Sequence, residues 1–310
     1  MAFGNNRSDA GRPRAGRSGE RDNRKAERAR KNELHTKDME DAYAKDIERS
    51  FAGLRTVDGS PKVEAEGCVP SVAVIDQDSV TAILENGRGR AQFCDMAVLD
   101  FASFTTPGGG YARGTMAQEE SLCSESFLYN VLKRQGDWYG ENRRRHINCN
   151  LYKNRGMVVP AVRFTRDKIH AYADVLVVAA PNARRAREEY GVKDDALQTA
   201  MRDRIRFAMA LADSTGREKL VLGAFGCGVF GWDAVEVAEM LRAELASGVH
   251  AAKEVFLAVP RRRFDENLAK FSHAFARFPQ KNDAAYAPAP LEEKKAPREE
   301  EDDDDWRRYL

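Results

Sequence analysis

The sequence predicts an α/β sandwich, and three observations lead there. Short runs dominated by apolar residues, Val72–Ile75, Met96–Phe101, Ala173–Val178, Lys219–Leu222 and Glu254–Val259, recur along the chain. Between them lie stretches with helical spacing, near residues 79–86, 118–134, 193–213, 233–246 and 263–277. Strands apolar on both faces and separated by helices belong to a sheet covered on both sides. The third observation is that two glycine-rich loops each follow a strand, where α/β folds hold their ligands.

Ahead of the first strand, Tyr43, Ile47, Phe51 and Leu54 recur at the spacing of one helix face, which predicts an N-terminal helix packed on the core. Residues 1–31 are rich in Arg, Gly and Asn and poor in large apolar side chains, so a disordered basic tail is expected there. From residue 280 to 310 the chain is Ala-, Pro- and charge-rich and includes the acidic run Glu299–Asp305, so a second disordered tail is expected. Residues 32–279 are left as one domain, and 42% hydrophobic content over 310 residues suffices for one sizeable core.

The balance of charge narrows the function. Fifty Lys and Arg against 49 Asp and Glu leave a net charge of +1, so no global field favours nucleic acid and direct nucleic-acid binding by the core is not expected. The five cysteines are scattered and odd in number, without a C-x-x-C pair, which points to a reducing interior rather than a disulfide framework or zinc site. No apolar run reaches the length of a signal-peptide core or a membrane span, so a soluble cytoplasmic protein with no membrane partner is expected.

Chemistry concentrates in the loops. The first runs from Asp100 through Gly108-Gly109-Gly110 to Gln118-Glu119-Glu120 at the start of a helix. Consecutive glycines allow positive φ and close approach of backbone N–H groups to an anion, so a phosphate cradle is expected there. A bare triple glycine is ordinarily a tight turn, and acidic residues in a first helical turn ordinarily complement the dipole; it is their combination that suggests a site. The second loop, Gly223–Gly231, contains a G-x-G-x-x-G, but it lies deep in the C-terminal half rather than in a first βαβ unit, so a Rossmann site is rejected. No G-x-x-x-x-G-K-[ST] occurs, which disfavours a P-loop nucleotidase.

At these residues the sequence resembles the microbial-type poly(ADP-ribose) glycohydrolases. The resemblance rests on Gly108–Gly110, a seven-residue spacer and Gln118-Glu-Glu120, on Ala97-Val-Leu-Asp-Phe-Ala-Ser103, Leu151-Tyr-Lys-Asn-Arg155 and Ala179-Ala-Pro-Asn182, and on Leu222–Gly231. It implies a macrodomain-like three-layer α/β/α sandwich with a mixed, mostly parallel central sheet and an N-terminal helical extension. It also implies a substrate in which the distal ribose C1'' of one ADP-ribose is joined to a 2'-hydroxyl of the next, an acetal cleaved through an oxocarbenium-like state. Partners would be ADP-ribose and poly(ADP-ribose) carried on modified proteins, with no cofactor required.

The resemblance assigns Glu120 as the catalytic acid and base and Glu119 as the residue that fixes the ribose hydroxyls, with Gln118 beside them. Gly108, Gly109 and Gly110, with Gly226, Cys227, Gly228 and Val229, would hold the diphosphate. Phe230 would wall the ribose, and Asn267 and Phe271, one helical turn apart, would lie where macrodomains hold adenine. Where the family usually carries Asn before the glycines, this chain has Asp100, Ser103, Thr105 and Thr106, so contacts to the terminal ribose would differ. Asn182 reads as a helix cap. A hydrolase of single ADP-ribosyl groups, or a non-catalytic ADP-ribose reader, would use the same glycine loops.

Overall fold

A computed structural model describes residues 15–63, 66–263 and 265–288. The first fourteen residues and the acidic run, for which disorder was expected, lie outside the described residues. Seven strands form one sheet: β1 (Arg55–Asp58), β2 (Ser71–Ile75), β3 (Met96–Phe101), β4 (Arg155–Arg166), β5 (Ile169–Val178), β6 (Lys219–Leu222) and β7 (Glu254–Ala258). Their order is β1-β4-β5-β3-β6-β7-β2. From β5 to β2 every neighbour is parallel, and β4 runs antiparallel to both β1 and β5.

Alternate residues of central β3 serve the two faces of the sheet. Met96 and Val98 enter a core with α1 (Ala15–Ala52), α2 (Ser79–Asn86), α3 (Gln118–Ser124), α4 (Leu128–Leu132) and α5 (Gly136–Arg145). Ala97 and Leu99 enter the other, with α6 (Ala183–Tyr190), α7 (Asp194–Asp213), α8 (Ala234–Ala246) and α9 (Asn267–Phe275). The architecture is therefore the expected three-layer α/β/α sandwich. No helix among the described residues is long and apolar enough to cross a membrane.

Four departures from the expected elements have identifiable causes. The helix begins at Ala15, well inside the stretch 1–31 expected to be disordered, because its polar residues bond to the core rather than bury apolar surface. The single helix expected over 118–134 is broken at Ser126, which forms an isolated bridge to Phe164 while its hydroxyl donates to Leu122 O and accepts from Leu128 N. Pro160 disguises β4, yet it sits just beyond the last residue paired with β1, where no ladder bond is lost on that side. A bulge follows at Ala161, whose N–H is taken by Asp174 Oδ1 at 2.8 Å. The helix expected over 263–277 is confined to 267–275.

At the end of the sheet opposite the glycine loops, His250 joins the last turns of α7 and α8. Its Nδ1 lies 2.7 Å from Asp213 Oδ2 and its Nε2 3.1 Å from Glu244 Oε1. Burial would lower the imidazole pKa, but the two carboxylates outweigh it and hold the ring at about 9, against an ordinary 6.5. A raised folded value means that this contribution to stability is complete below pH 6.5 and is lost as pH rises through 9. Urea unfolding at pH 6 and pH 9.5 should therefore show a loss of roughly 2–3 kcal/mol for wild type beyond that seen in His250→Gln. Equal losses in both proteins would show that the cluster does not titrate in this window.

Candidate active site

The site is built where β3 ends. Gln118, first residue of α3, ties the helix to the strand: its Oε1 accepts from Phe101 N at 2.9 Å, and its Nε2 donates to Leu99 O at 2.9 Å and Ser79 Oγ at 3.2 Å. Gln118 is thus a brace as well as a lining residue. It sets the next two residues in the first helical turn, where unpaired N–H groups and the dipole favour negative charge.

Each glutamate has one carboxylate oxygen fixed by the loop. Glu119 Oε2 accepts from Ser103 N at 2.7 Å, and Glu120 Oε1 accepts from Gly110 N at 2.8 Å and Thr115 Oγ1 at 3.0 Å. The other oxygens, Glu119 Oε1 and Glu120 Oε2, take no hydrogen bond from the described residues. The triple glycine serves this arrangement directly. Gly109 has φ +59°, and a Cβ on it would lie 2.7 Å from Glu119 Oε2 and 2.9 Å from Glu120 Oε1. Two of the three N–H groups expected to cradle diphosphate are bonded within the protein: Gly109 donates to Thr106 O and Gly110 to Glu120 Oε1.

Asp100 and Ser103 also take supporting places. Asp100, expected among the ligand-contacting residues, is completely buried beneath the pair, on the face of β3 that turns to α3. Neither of its oxygens has a hydrogen-bond partner among the described residues. Burial, then the charge of Glu120, pushes its pKa well above the usual carboxylate range. Burial, then the charge of Asp100, does the same to Glu119. Packed carboxylates cannot all ionise, so the cluster retains protons. The Ser103 hydroxyl faces the loop and accepts from Thr106 N at 3.2 Å.

The loop between the glycines and α3 is clasped by α1. Arg28 Nε donates to Gly114 O at 2.9 Å; Asn32 Nδ2 donates to Tyr111 O at 2.6 Å, and Tyr111 Oη returns a bond to Asn32 O at 2.9 Å. Gly114, at φ +69°, lets the helix backbone come so close that a Cβ would lie 2.0 Å from Lys25 O. Thr115, which holds Glu120, is the next residue.

The second loop forms one wall of a cavity of about 280 Å³, lined by Gln118, Gly226, Gly228, Val229, Phe230 and Asn267 among others. The N–H groups of Gly226, Gly228, Val229 and Phe230 make no hydrogen bond within the described residues, so they are the donors open to an anion. Cys227 does not line the cavity: its N–H is bonded to Ala224 O, and burial pushes its thiol up to about 12. Phe271 is likewise excluded, because it is wholly buried in the core under α9.

Phe104 and Tyr152 stack at 4.4 Å, and Phe230 meets Tyr152 edge-on at 6.5 Å, an aromatic wall of which only Phe230 was legible. Arg204, wholly buried, explains two of the sequence words: it donates to Ala179 O, to Tyr152 O at 3.0 Å and to Asn154 Oδ1 at 2.7 Å, binding residues 151–154 to the end of β5. Asn182 caps α6 through Arg185 N, as expected. Asp78, Pro260, Arg262 and Asp265 also line the cavity without having been singled out; their position just after β2 and β7 is the signal that would have found them.

Two outcomes follow. Gly191 has a similar φ of +63° with nothing within 4 Å of a built Cβ, so Gly191→Ala bears only backbone strain of roughly 1 kcal/mol. Gly114→Ala bears that strain plus the clash with α1, and thermal melts should show at least twice the loss, with turnover down roughly tenfold; equal losses would mean that the clasp is absent. For Asp100, a folded pKa above the unfolded 3.8 means that stability falls as pH climbs from there towards the raised value. Asp100→Asn cannot ionise, so at pH 7.5 it should melt about 2–4 °C above wild type and lose less on further alkalinisation. A lower melting point would show that the ionised carboxylate is needed for the fold.

Residues 23–167 match the family model for the microbial-type poly(ADP-ribose) glycohydrolase catalytic domain, a span that includes the glycines and both glutamates. No curated protein matches the chain. Among solved structures, the Thermomonospora curvata poly(ADP-ribose) glycohydrolase bound to the inhibitor ADP-HPD is 26% identical, with a TM-score of 0.69 over 81% of this chain and 100% of that one. The Deinococcus radiodurans poly(ADP-ribose) glycohydrolase in complex with ADP-ribose is also 26% identical, with a TM-score of 0.64 over 73% and 95%. The family match runs through the carboxylate pair, and the architecture is shared with both bacterial proteins, so over residues 23–167 the chain is similar to the microbial-type poly(ADP-ribose) glycohydrolase catalytic domain.

Proposed function

We propose that the protein hydrolyses the ribose–ribose O-glycosidic bonds of poly(ADP-ribose) and releases ADP-ribose, with Glu120 as general acid and base. The observation that carries this is the asymmetry of Glu120: Oε1 is held by Gly110 N and Thr115 Oγ1, and Oε2 takes no hydrogen bond from the described residues, while Gln118 and Ser121 on either side of the pair line the cavity. Similarity to bacterial glycohydrolases whose structures hold ADP-ribose or ADP-HPD supports the same substrate.

The terminal ADP-ribose enters with its diphosphate against the unspent N–H groups of the 226–230 loop, which bind through fixed backbone dipoles rather than through Lys or Arg. Asn267 lies at the adenine end and Phe230 against the distal ribose. Glu119 Oε1, buried and unpartnered, takes a ribose hydroxyl and sets the sugar against Glu120. Glu120 Oε2 then gives a proton to the leaving 2'-oxygen as the bond to C1'' breaks. Water adds to the oxocarbenium-like carbon and returns its proton to the same oxygen. Adjacent residues on one helical turn cannot flank the bond from opposite faces, so one carboxylate serves both steps. Buried, unpaired Cys94 and Cys123 support a reducing, cytoplasmic setting.

Glu120→Gln keeps the acceptor for Gly110 N and removes the transferable proton. Release of ADP-ribose from automodified poly(ADP-ribose) polymerase should fall at least ~10²-fold, while calorimetric affinity for ADP-ribose changes little. Near-wild-type release would end the assignment.

A further inference from the structure

Outside the cavity lining, α5 ends in Arg143-Arg144-Arg145, all exposed. This turn is fastened to the loop that precedes the glycines: Asn142 Nδ2 donates to Phe104 O at 2.9 Å, and Arg143 Nη1 donates to Thr105 O. Ser103, two residues earlier, is the partner of Glu119. None of residues 103–110 or 142–146 lines the cavity, so the basic turn lies outside it, against the loop that holds Glu119.

The guanidinium groups are arranged without counter-ions. Arg143 Nη2 and Arg144 Nη1 lie 3.8 and 3.1 Å from the point that a Cβ on Gly140 would occupy, so two like charges converge over that glycine. Among the described residues, neither of them, nor Arg145, pairs with a carboxylate. Neighbouring Glu141 is committed to Arg155 and His146. Elsewhere Arg155, Arg166, Arg185 and Arg217 each hold an Asp or Glu. A helix C-terminus favours a cation, but that effect is satisfied by one and does not account for two converging guanidiniums. Paired Arg side chains without acids suit an external phosphate.

We propose that Arg144 and Arg145, with Arg143 at the base, form a subsite for the diphosphate of the penultimate ADP-ribose unit, the one that leaves. This rests on the glycohydrolase reading: the leaving 2'-oxygen belongs to an adenosine ribose whose own 5'-diphosphate is a few bonds away. With the terminal unit seated in the cavity, that diphosphate lies outside it, and the arginines, tied through Thr105 to the loop that holds Glu119, are the cations set beside that loop. The terminal unit is then held by backbone dipoles and the remainder of the chain by charge.

The test uses the full chain carrying Glu120→Gln, so that substrate survives, and compares a fluorescent poly(ADP-ribose) oligomer with ADP-ribose itself. Adding Arg144→Ala and Arg145→Ala should weaken oligomer binding about tenfold, as expected when charge-assisted hydrogen bonds are removed, and change ADP-ribose binding less than about twofold. The slope of log affinity against log salt should shrink by about 0.7 for each phosphate no longer neutralised by an arginine. Arg144→Lys with Arg145→Lys should keep the slope and most of the affinity, which separates charge from any disturbance of the fold. Unchanged oligomer affinity, or parallel weakening of both ligands, overturns the proposal. So does single-stranded RNA binding as tightly as the oligomer without competition from ADP-ribose, which would mark a nucleic-acid surface. Failure of the wild-type protein to release ADP-ribose would sink the proposed activity alone, since the binding comparison still decides the subsite.

Discussion

Three carboxylates share the buried end of one strand and one helical turn, and the surrounding loops are organised around their charge. An anion out of water is tolerable only where donors are already aimed at it. Ser103 N, Gly110 N and Thr115 Oγ1 are those donors, and each comes from the short stretch that links β3 to α3. Gly109 makes this possible by leaving out the side chain that would occupy the carboxylates' space. Asp100 has no donor among the described residues, and its proton is the substitute.

That view changes what the glycine motif is for. Three successive glycines before an acidic helix suggest backbone N–H groups presented to phosphate, and the spacing alone cannot say which anion they face. Here the Gly110 N–H faces the carboxylate of Glu120, and the Gly109 N–H a backbone carbonyl. The loop after β6 leaves the N–H groups of Gly228, Val229 and Phe230 without a hydrogen bond among the described residues, between Gly226 and Gly231 at positive φ. The two glycine-rich loops therefore divide the labour: one orients the acids and the other faces the cavity.

Legibility followed chemistry unevenly. Strands β2, β3, β5, β6 and β7 were visible because their runs are dominated by apolar residues. β4 was hidden by Pro160 and by arginines at both ends, and β1 is too short and exposed to carry a pattern. At the site, Glu119, Glu120 and Phe230 could be read from sequence because their types match their tasks. Asp100 and Phe271 could not be placed, since depth beneath a surface depends on which face of the strand or helix turns inward. Arg204 escaped for a related reason: a buried arginine is recognisable only once the carbonyls that converge on it are known.

The clasp between α1 and the catalytic loop has a bearing on the order of assembly. Arg28 meets Gly114 across 86 positions, and Asn32 meets Tyr111 across 79. During synthesis the helix leaves the ribosome long before the loop that it must hold, and contacts so distant in sequence form late because the intervening chain must first be closed. The sheet adds to the delay, since β3 pairs with β5 and β6 from much later in the chain. Nascent protein thus carries both glutamates while the frame that aims them is unfinished, and hydrolytic competence arrives only with the completed domain.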